Sequence, residues 1–367
     1  MIYYLATEGY THTMQNFLDH WVADLQSRVG IITYEEALRA RTLPLGTYIF
    51  SDIERLLPAE TEIATLVWDQ LQAAGARLLN HPTRTRRRYE LLTMLHARGR
   101  NTFRVARAAD RAVQLRFPVF VREEGDHNGA ITGLLKNRRQ LDDALVGAVF
   151  RGHNIKNLMV EEFCDTADAE GVYRKYSSFV VGGRVVPCHI DCSKGWVVKD
   201  TDIVSEAVMA QERHYLESNP HREFLEETFA LASVDYGRID YSLKDGAPQV
   251  WEINTNPVVI LHPRHYQEIH MPVKREFAAR IRPAFEAIDF PGPAGVEMEI
   301  RVPAPLLDRM DAEKRRQRWL RSRYRFLRKV RRSSAFLAAR KVVRPLITSI
   351  SPVLARIGRQ RAGGKSQ

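Results

Sequence analysis

Between Tyr236 and Pro257 three side chains carry oxygen ligands at spacings that a β-hairpin would bring together: Asp240, Glu252 and Asn254. Glu252 and Asn254 are two apart, so on a strand they project from one face. Asp240 lies on the preceding strand, and if it pairs opposite Glu252 all three point the same way. That register calls for an odd-length connection such as Asp245-Gly246-Ala247. Two carboxylates and an amide oxygen form a hard-oxygen site of the kind Mg²⁺ prefers, with water and substrate phosphates completing its shell. Two ions bridged by Glu252 would neutralise a triphosphate and orient its terminal group. A lone pair of charged strand residues more often just faces water. The order Arg-x-Asp…Glu-x-Asn-x-Asn-Pro (238–257) is far more restrictive, and it is read here as functional.

The elements that must position this hairpin follow from apolar patterning. Ile2–Ala6, Thr47–Ser51 and Ala76–Leu79 read as strands, with helical spacing over Met14–Leu25 and Ala59–Ala74. Alternating strands and helices predict a small parallel α/β lobe over residues 1–105. A helix over Arg86–Ala97 leads into a middle segment with strands at Phe117–Arg122, Leu158–Phe163, Val172–Val181 and Arg184–Cys192. Gly182-Gly183 joins the last two as a hairpin. Helices over Asp202–Ser218, Arg222–Ser233 and Pro263–Ile288 surround the hairpin, which gives a second domain over 106–290.

The hairpin resembles the signature R-[VI]-D-[FY]…E-[IV]-N-T-x-P of the ATP-grasp superfamily. Within it the likeness is to carboxylate–amine ligases of the D-alanine–D-alanine ligase and glutathione synthetase type. The resemblance implies a small parallel α/β lobe and two α+β lobes clasping ATP, with a basic helical C-terminal extension added here. It implies that Asp240, Glu252 and Asn254 ligate one or two magnesium ions, with manganese a substitute, and that Arg238 sits beside the reacting carboxylate and phosphoryl group. Phe117–Arg122 resembles the strand that ends in a nucleotide-binding lysine, here replaced by Arg122. The loop Glu124–Gly129, with His127 as a phosphate contact, stands in the place of the glycine-rich flap. Arg88 stands for the first basic nucleotide contact. Met159–Cys164 resembles the hinge strand, so the backbone at Glu162 and Cys164 would read the adenine edge while Glu161 approaches its amino group. Asp168 is the candidate for the ribose hydroxyls, Arg174 for the substrate or terminal phosphate, and Lys199 for a further phosphate contact. Two departures set this chain apart from D-alanine ligases: Ala6–His12 replaces their Gly-Gly-x-Ser-x-Glu stretch, and Val258 follows the final proline.

The implied activity is ATP-dependent activation of a small-molecule or peptide carboxylate for attack by an amine-type acceptor. The alternatives are a kinase of the same fold that leaves a stable phosphorylated product, and a degenerate nucleotide-binding module acting through its tail. The net charge of +11 belongs to that tail. From Arg301 to Gln367 there are 20 Lys and Arg against 3 Asp and Glu, whereas the first 300 residues carry 35 basic and 41 acidic groups. Composition therefore shifts at a third segment, 291–367, whose basic aromatic stretch over 312–360 suits peripheral contact with an anionic membrane. No nucleic-acid recognition motif appears in it. The three cysteines, the lack of a charged apolar leader and the lack of a long apolar run make the expected location the cytoplasm, with membrane association through the tail as an addition. Cys188-His189 with Cys192 reads as strand rather than zinc site, because residues four apart on a strand are about 13 Å apart.

Overall fold

The computed structural model describes residues 1–110, 113–126, 129–199, 201–290 and 295–331. His127 of the expected flap and the tail from 332 onward lie outside the described residues.

Ile2–Ala6 forms the strand expected of it, pairing in parallel with Val29–Thr33 and Thr47–Phe50, while Arg77–Leu79 extends the sheet beyond Thr47–Phe50. Strands covered on both faces read as continuous apolar runs. Here Tyr4 and Ile49 pack under the helix His12–His20, and Leu5, Tyr48 and Phe50 under Pro58–Ala73. The first helix is shorter than its pattern predicts and is followed by a 3-10 turn at Ala23–Leu25. Val29–Thr33, whose glycine weakens the strand pattern, is an addition to the sequence reading.

Val105–Arg107, Leu158–Glu162 and Val119–Glu123 make a three-stranded antiparallel sheet with Leu158–Glu162 in the centre. The helix Arg138–Phe150 covers one face through Leu141, Leu145 and Ala148, and Asn137 caps it by accepting from the Gln140 amide. The four-stranded antiparallel sheet runs Arg184–Ser193, Tyr173–Val181, Tyr236–Lys244, Ala247–Asn254. Gly182-Gly183 makes the expected two-residue turn, both residues at positive φ. The helices Glu206–Ser218 and Arg222–Ala232 pack on one face of this sheet, and the helix Met271–Ile288 covers part of the other through Phe277 against Phe179, leaving the rest to the cleft. The helix Arg88–Ala97 packs there too, its Leu91, Leu92 and Leu95 joining Val250. The sequence border at 105/106 falls inside the strand Val105–Arg107.

Two asparagines tie the parallel lobe to the hairpin. Asn80, at φ 64°, accepts from the Asp235 and Tyr236 amides at 2.8 and 3.0 Å and donates to the Tyr236 carbonyl at 2.7 Å. Asn256 accepts from Tyr4 Oη at 2.7 Å and Thr13 Oγ1 at 2.5 Å. The Asn-Thr-Asn run therefore anchors the hairpin's exit to the first lobe. Glu297–Glu299 returns to pair with Thr42–Pro44. Residues Met1–Met310 form one compact unit, and the described residues from Asp311 onward belong to a second. The last described helix, Ala304–Arg331, carries Trp319 half exposed with Arg323 over its ring. Among the described residues no helix is long and apolar enough to cross a membrane.

Asp52 follows the strand Thr47–Phe50 in a left-handed conformation, fully buried, accepting from the Thr7 amide and hydroxyl and from Arg55. Burial pushes its carboxyl up to about 6, with Glu54 adding and Arg55 and Thr7 opposing. The folded chain thus holds this proton between about pH 4 and 6, where the unfolded chain has released it, so stability falls as pH rises through that window. Replacing Asp52 with asparagine removes the penalty. The stability of the variant relative to the parent is expected to improve by up to about 3 kcal/mol between pH 4 and 7, read by urea unfolding. A difference that does not change with pH would refute this account.

Candidate active site

Asp240 stands opposite Glu252, and Arg238 opposite Asn254, which is the register that points all three oxygen ligands one way. The means differs from the sequence expectation. The turn is only Asp245-Gly246, at φ 52° and 78°, with Lys244 opposite Ala247. The odd residue is absorbed by a β-bulge instead: Tyr241 faces Val250, so Trp251 is extra. Trp251 and Glu252, neighbours in sequence, consequently both line the cleft. Gly237 lets the two strands meet at the base of the hairpin, since a Cβ there would stand 2.8 Å from the Asn254 carbonyl oxygen.

The cleft has a volume of about 350 Å³ and lies between the two antiparallel sheets. That is within the roughly 300–1,000 Å³ common for small-molecule sites. Of the residues singled out in the sequence, Arg122, Glu161, Cys164, Lys199, Arg238, Asp240, Glu252 and Asn254 line it. Asp240 accepts from Ser177 Oγ and Arg238 Nε, each at 2.9 Å, and from a second Arg238 nitrogen at 3.2 Å. Burial alone would raise its carboxyl, but Arg238 and Lys175 outweigh it and hold the group at about 2. Asn254 Oδ1 accepts from the Asn256 amide at 2.8 Å, which fixes the side chain. Glu252 accepts from Arg122 Nη2 at 2.8 Å and from Arg88 Nη2.

Arg88 is a brace rather than part of the wall. Its Nη1 donates to the carbonyls of Glu123, Glu124 and Asp126 at 2.8–3.0 Å, so one guanidinium ties the start of the flap to Glu252. Burial, then neighbouring Arg122, lowers it to about 9. Glu161 is fully buried at the other end of the cleft. Among the described residues neither of its oxygens has a hydrogen-bond partner, and Arg122 Nη1 stands 3.8 Å away. Burial pushes it up to about 7, against Arg122 and Arg88. Phe120, Phe163 and Trp196 surround that end, with Trp196 5.0 Å from Phe120 and 5.8 Å from Phe163 between centroids.

Three expected residues have their side chains engaged elsewhere. Glu162 turns its carboxylate to Arg104 and Arg116, and its amide donates to the Arg104 carbonyl at 3.0 Å, so that amide is spent on the neighbouring strand. Asp168 closes a turn by accepting from the amides of Glu170 and Val172, and it pairs with Arg174. Arg174 stands opposite Cys192 and reaches Gln211 on the helical face. Because Ser177 faces Asp240, strand alternation gives the cleft to Tyr173 and Lys175 and turns Arg174 away. Lys175, Trp251, Phe120 and Phe163 were given no role by the sequence, whereas Trp196 was placed with Lys199. Alternation from a known Ser177–Asp240 pair is the signal for Lys175, and it exists only once the order of the strands is known.

A parallel lobe stands beside two antiparallel sheets, and the strand Leu158–Glu162 faces the hairpin Tyr236–Asn254 across their cleft. The arrangement agrees with the lobes expected from the resemblance of the hairpin to the ATP-grasp signature. No protein-family model and no curated protein matches the chain. Solved structures similar to it include a D-alanine–D-alanine ligase from Bacillus anthracis, 14% identical over 78% of this chain and 97% of that one, at a TM-score of 0.45. A RimK domain ATP-grasp protein from Sphaerobacter thermophilus is 10% identical over 77% and 100%, with a TM-score of 0.42. An N5-carboxyaminoimidazole ribonucleotide synthetase from Thermotoga maritima is 12% identical over 80% and 76%, with a TM-score of 0.44. At such scores the function is read from this chain's own side chains and not from those of its neighbours.

Proposed function

We propose that the chain is an ATP- and magnesium-dependent ligase that activates a substrate carboxylate as an acyl phosphate for attack by an amine or similar nucleophile. The observation that carries this reading is the convergence of Asp240, Glu252 and Asn254, with Arg238 beside them, on one wall of an aromatic-ended cleft. The donor set suits Mg²⁺: two carboxylates and an amide oxygen, with Asp240 ionised at any physiological pH. Among the described residues no group of three or more His, Cys, Asp or Glu side chains is arranged to hold a metal. A site of two carboxylates and one amide agrees with an ion that draws its remaining ligands from phosphate and water. Once bound, magnesium supplies neutralisation of the phosphates and a fixed line of approach.

The chain's own residues would do the rest. Glu161, with two unpartnered oxygens, suits the amino group of an adenine, and Phe120, Phe163 and Trp196 exclude water around it. A substrate carboxylate attacks the γ-phosphorus and ADP leaves; the nucleophile then attacks the acyl carbon and phosphate leaves. Arg238, fixed by Asp240, offsets the charge that builds on the acyl oxygen in both steps. Arg122 and Lys199 bring further positive charge to the cleft wall, while Arg88 holds Glu252 and the flap in register. In this reading residues 1–105 form the first lobe, 106–290 the ATP-grasp lobes and 291–367 the basic extension.

The test is a screen of acid and amine pairs with purified protein and Mg-ATP, following phosphate, ADP and amide together. Equal yields of the three are expected for the right pair. ADP formed alongside a persistent phosphoester would make the protein a kinase. Failure of magnesium to promote any ADP binding, measured by calorimetry, would end the reading altogether.

A further inference from the structure

Arg122 occupies the strand position from which a nucleotide-binding cation was expected, yet its guanidinium is engaged by Glu252 and faces Glu161. The opposite sheet carries a cation that the ligase reading leaves unassigned. Lys175 lines the cleft on the same face as Asp240. Its Nζ lies 3.0 Å from Asp191 Oδ2 and 3.5 Å from the Lys199 carbonyl oxygen. An ammonium has three donors, so among the described residues one direction is left for a ligand.

Asp191 is itself held. His189 Nε2 lies 3.4 Å from the same Oδ2, and His189 Nδ1 lies 3.0 Å from Cys188 Sγ. The ladder shifts between Pro187 and His189, which leaves Cys188 as an extra residue and puts His189 opposite Ser177. Without that second bulge His189 would point at the helices. Both ring nitrogens are engaged, so the imidazole has none left to take a proton from a substrate. It is a brace, not a base.

The position of Lys175 along the sheet says what it meets. Ser177 shares a row with Asp240 and Glu252, and Phe179 shares the next row with Arg238 and Asn254. Lys175 lies two residues the other way, about 6–7 Å from the metal row and towards the aromatic end. If the base sits at that end and the terminal phosphate at Arg238, the intervening phosphates pass Lys175.

We propose that Lys175 binds the inner phosphates of the nucleotide, and that Asp191 and His189 are positioning residues which hold it on the metal face. This rests on the reading of the cleft as an ATP site. The experiment is calorimetric titration of the full chain with ADP in magnesium and, separately, with adenosine. Lys175→Met is expected to weaken ADP about ten- to a hundredfold, the range for a charge-assisted hydrogen bond, with adenosine within about twofold. Lys175→Arg should restore most of the loss. Asp191→Asn and His189→Asn should lower ADP affinity by smaller factors and again spare adenosine, a split that general loosening of the sheet would not give. Circular dichroism identifies any variant that fails to fold, and the arginine variant then carries the comparison. Unchanged ADP affinity in a folded Lys175→Met, or ADP and adenosine weakened in step, overturns the proposal. Parent protein that binds neither ligand sinks the nucleotide reading first, and is seen before any variant is made.

Discussion

Asp240→Asn is expected to lower magnesium-dependent ATP turnover by about a hundred- to a thousandfold, the range seen when one preorganised charge is removed from a reacting site. The substitution keeps the shape of the side chain and removes two things at once. The carboxylate that accepts from Ser177 and Arg238 loses its charge, and with it the strongest oxygen donor of the proposed metal site. Arg238 in turn loses the partner that fixes its guanidinium. Magnesium dependence separates the two contributions. If the metal role dominates, raising the ion concentration recovers part of the rate; if the guanidinium role dominates, it does not. Turnover at the parental rate would mean that the hairpin is not the reacting site.

Glu252→Gln is expected to be the most destabilising single change in the cleft, costing about 3–5 kcal/mol in urea unfolding. Glu252 lies between Arg88 and Arg122, both nearly inaccessible to water, and each donates to Oε2. Removing the charge brings two buried guanidiniums face to face with only a neutral amide between them. Burial already makes both guanidiniums easier to deprotonate, and Arg122 adds to this at Arg88. The cost should shrink markedly in an Arg122→Met background, because the two changes share one partner and are not additive. A loss below about 1 kcal/mol in the parental background would contradict the clamp.

Much of this was legible in the sequence, and the reason is local. Strands buried on both faces, such as Ile2–Ala6 and Thr47–Phe50, are recognisable because every position must be apolar. The hairpin was legible because Glu252 and Asn254 share a face by alternation alone, and Asp240 needed only one register to join them. What failed was whatever depended on a partner strand. Arg174 and Lys175 are adjacent, and nothing local says which of them meets the cleft until Ser177 is known to face Asp240. Glu161 and Glu162 pose the same problem. One is buried without a hydrogen bond and lines the cleft; the other is taken by Arg104 and Arg116. The bulges at Cys188 and Trp251 are invisible to periodicity, because each consists of a break in it. Asp168 caps a turn, and in sequence such a carboxylate looks like one awaiting a ligand.

The bulge at Trp251 gives the protein an intrinsic optical probe. Of five tryptophans in the chain, Trp196 and Trp251 line the cleft, whereas Trp68 is enclosed in the first lobe's core. Indole emission responds to a change of solvent contact or to a base stacked nearby. Occupancy of the cleft can therefore be followed in unlabelled protein, and phenylalanine at either position assigns the signal to the end of the cleft that produces it.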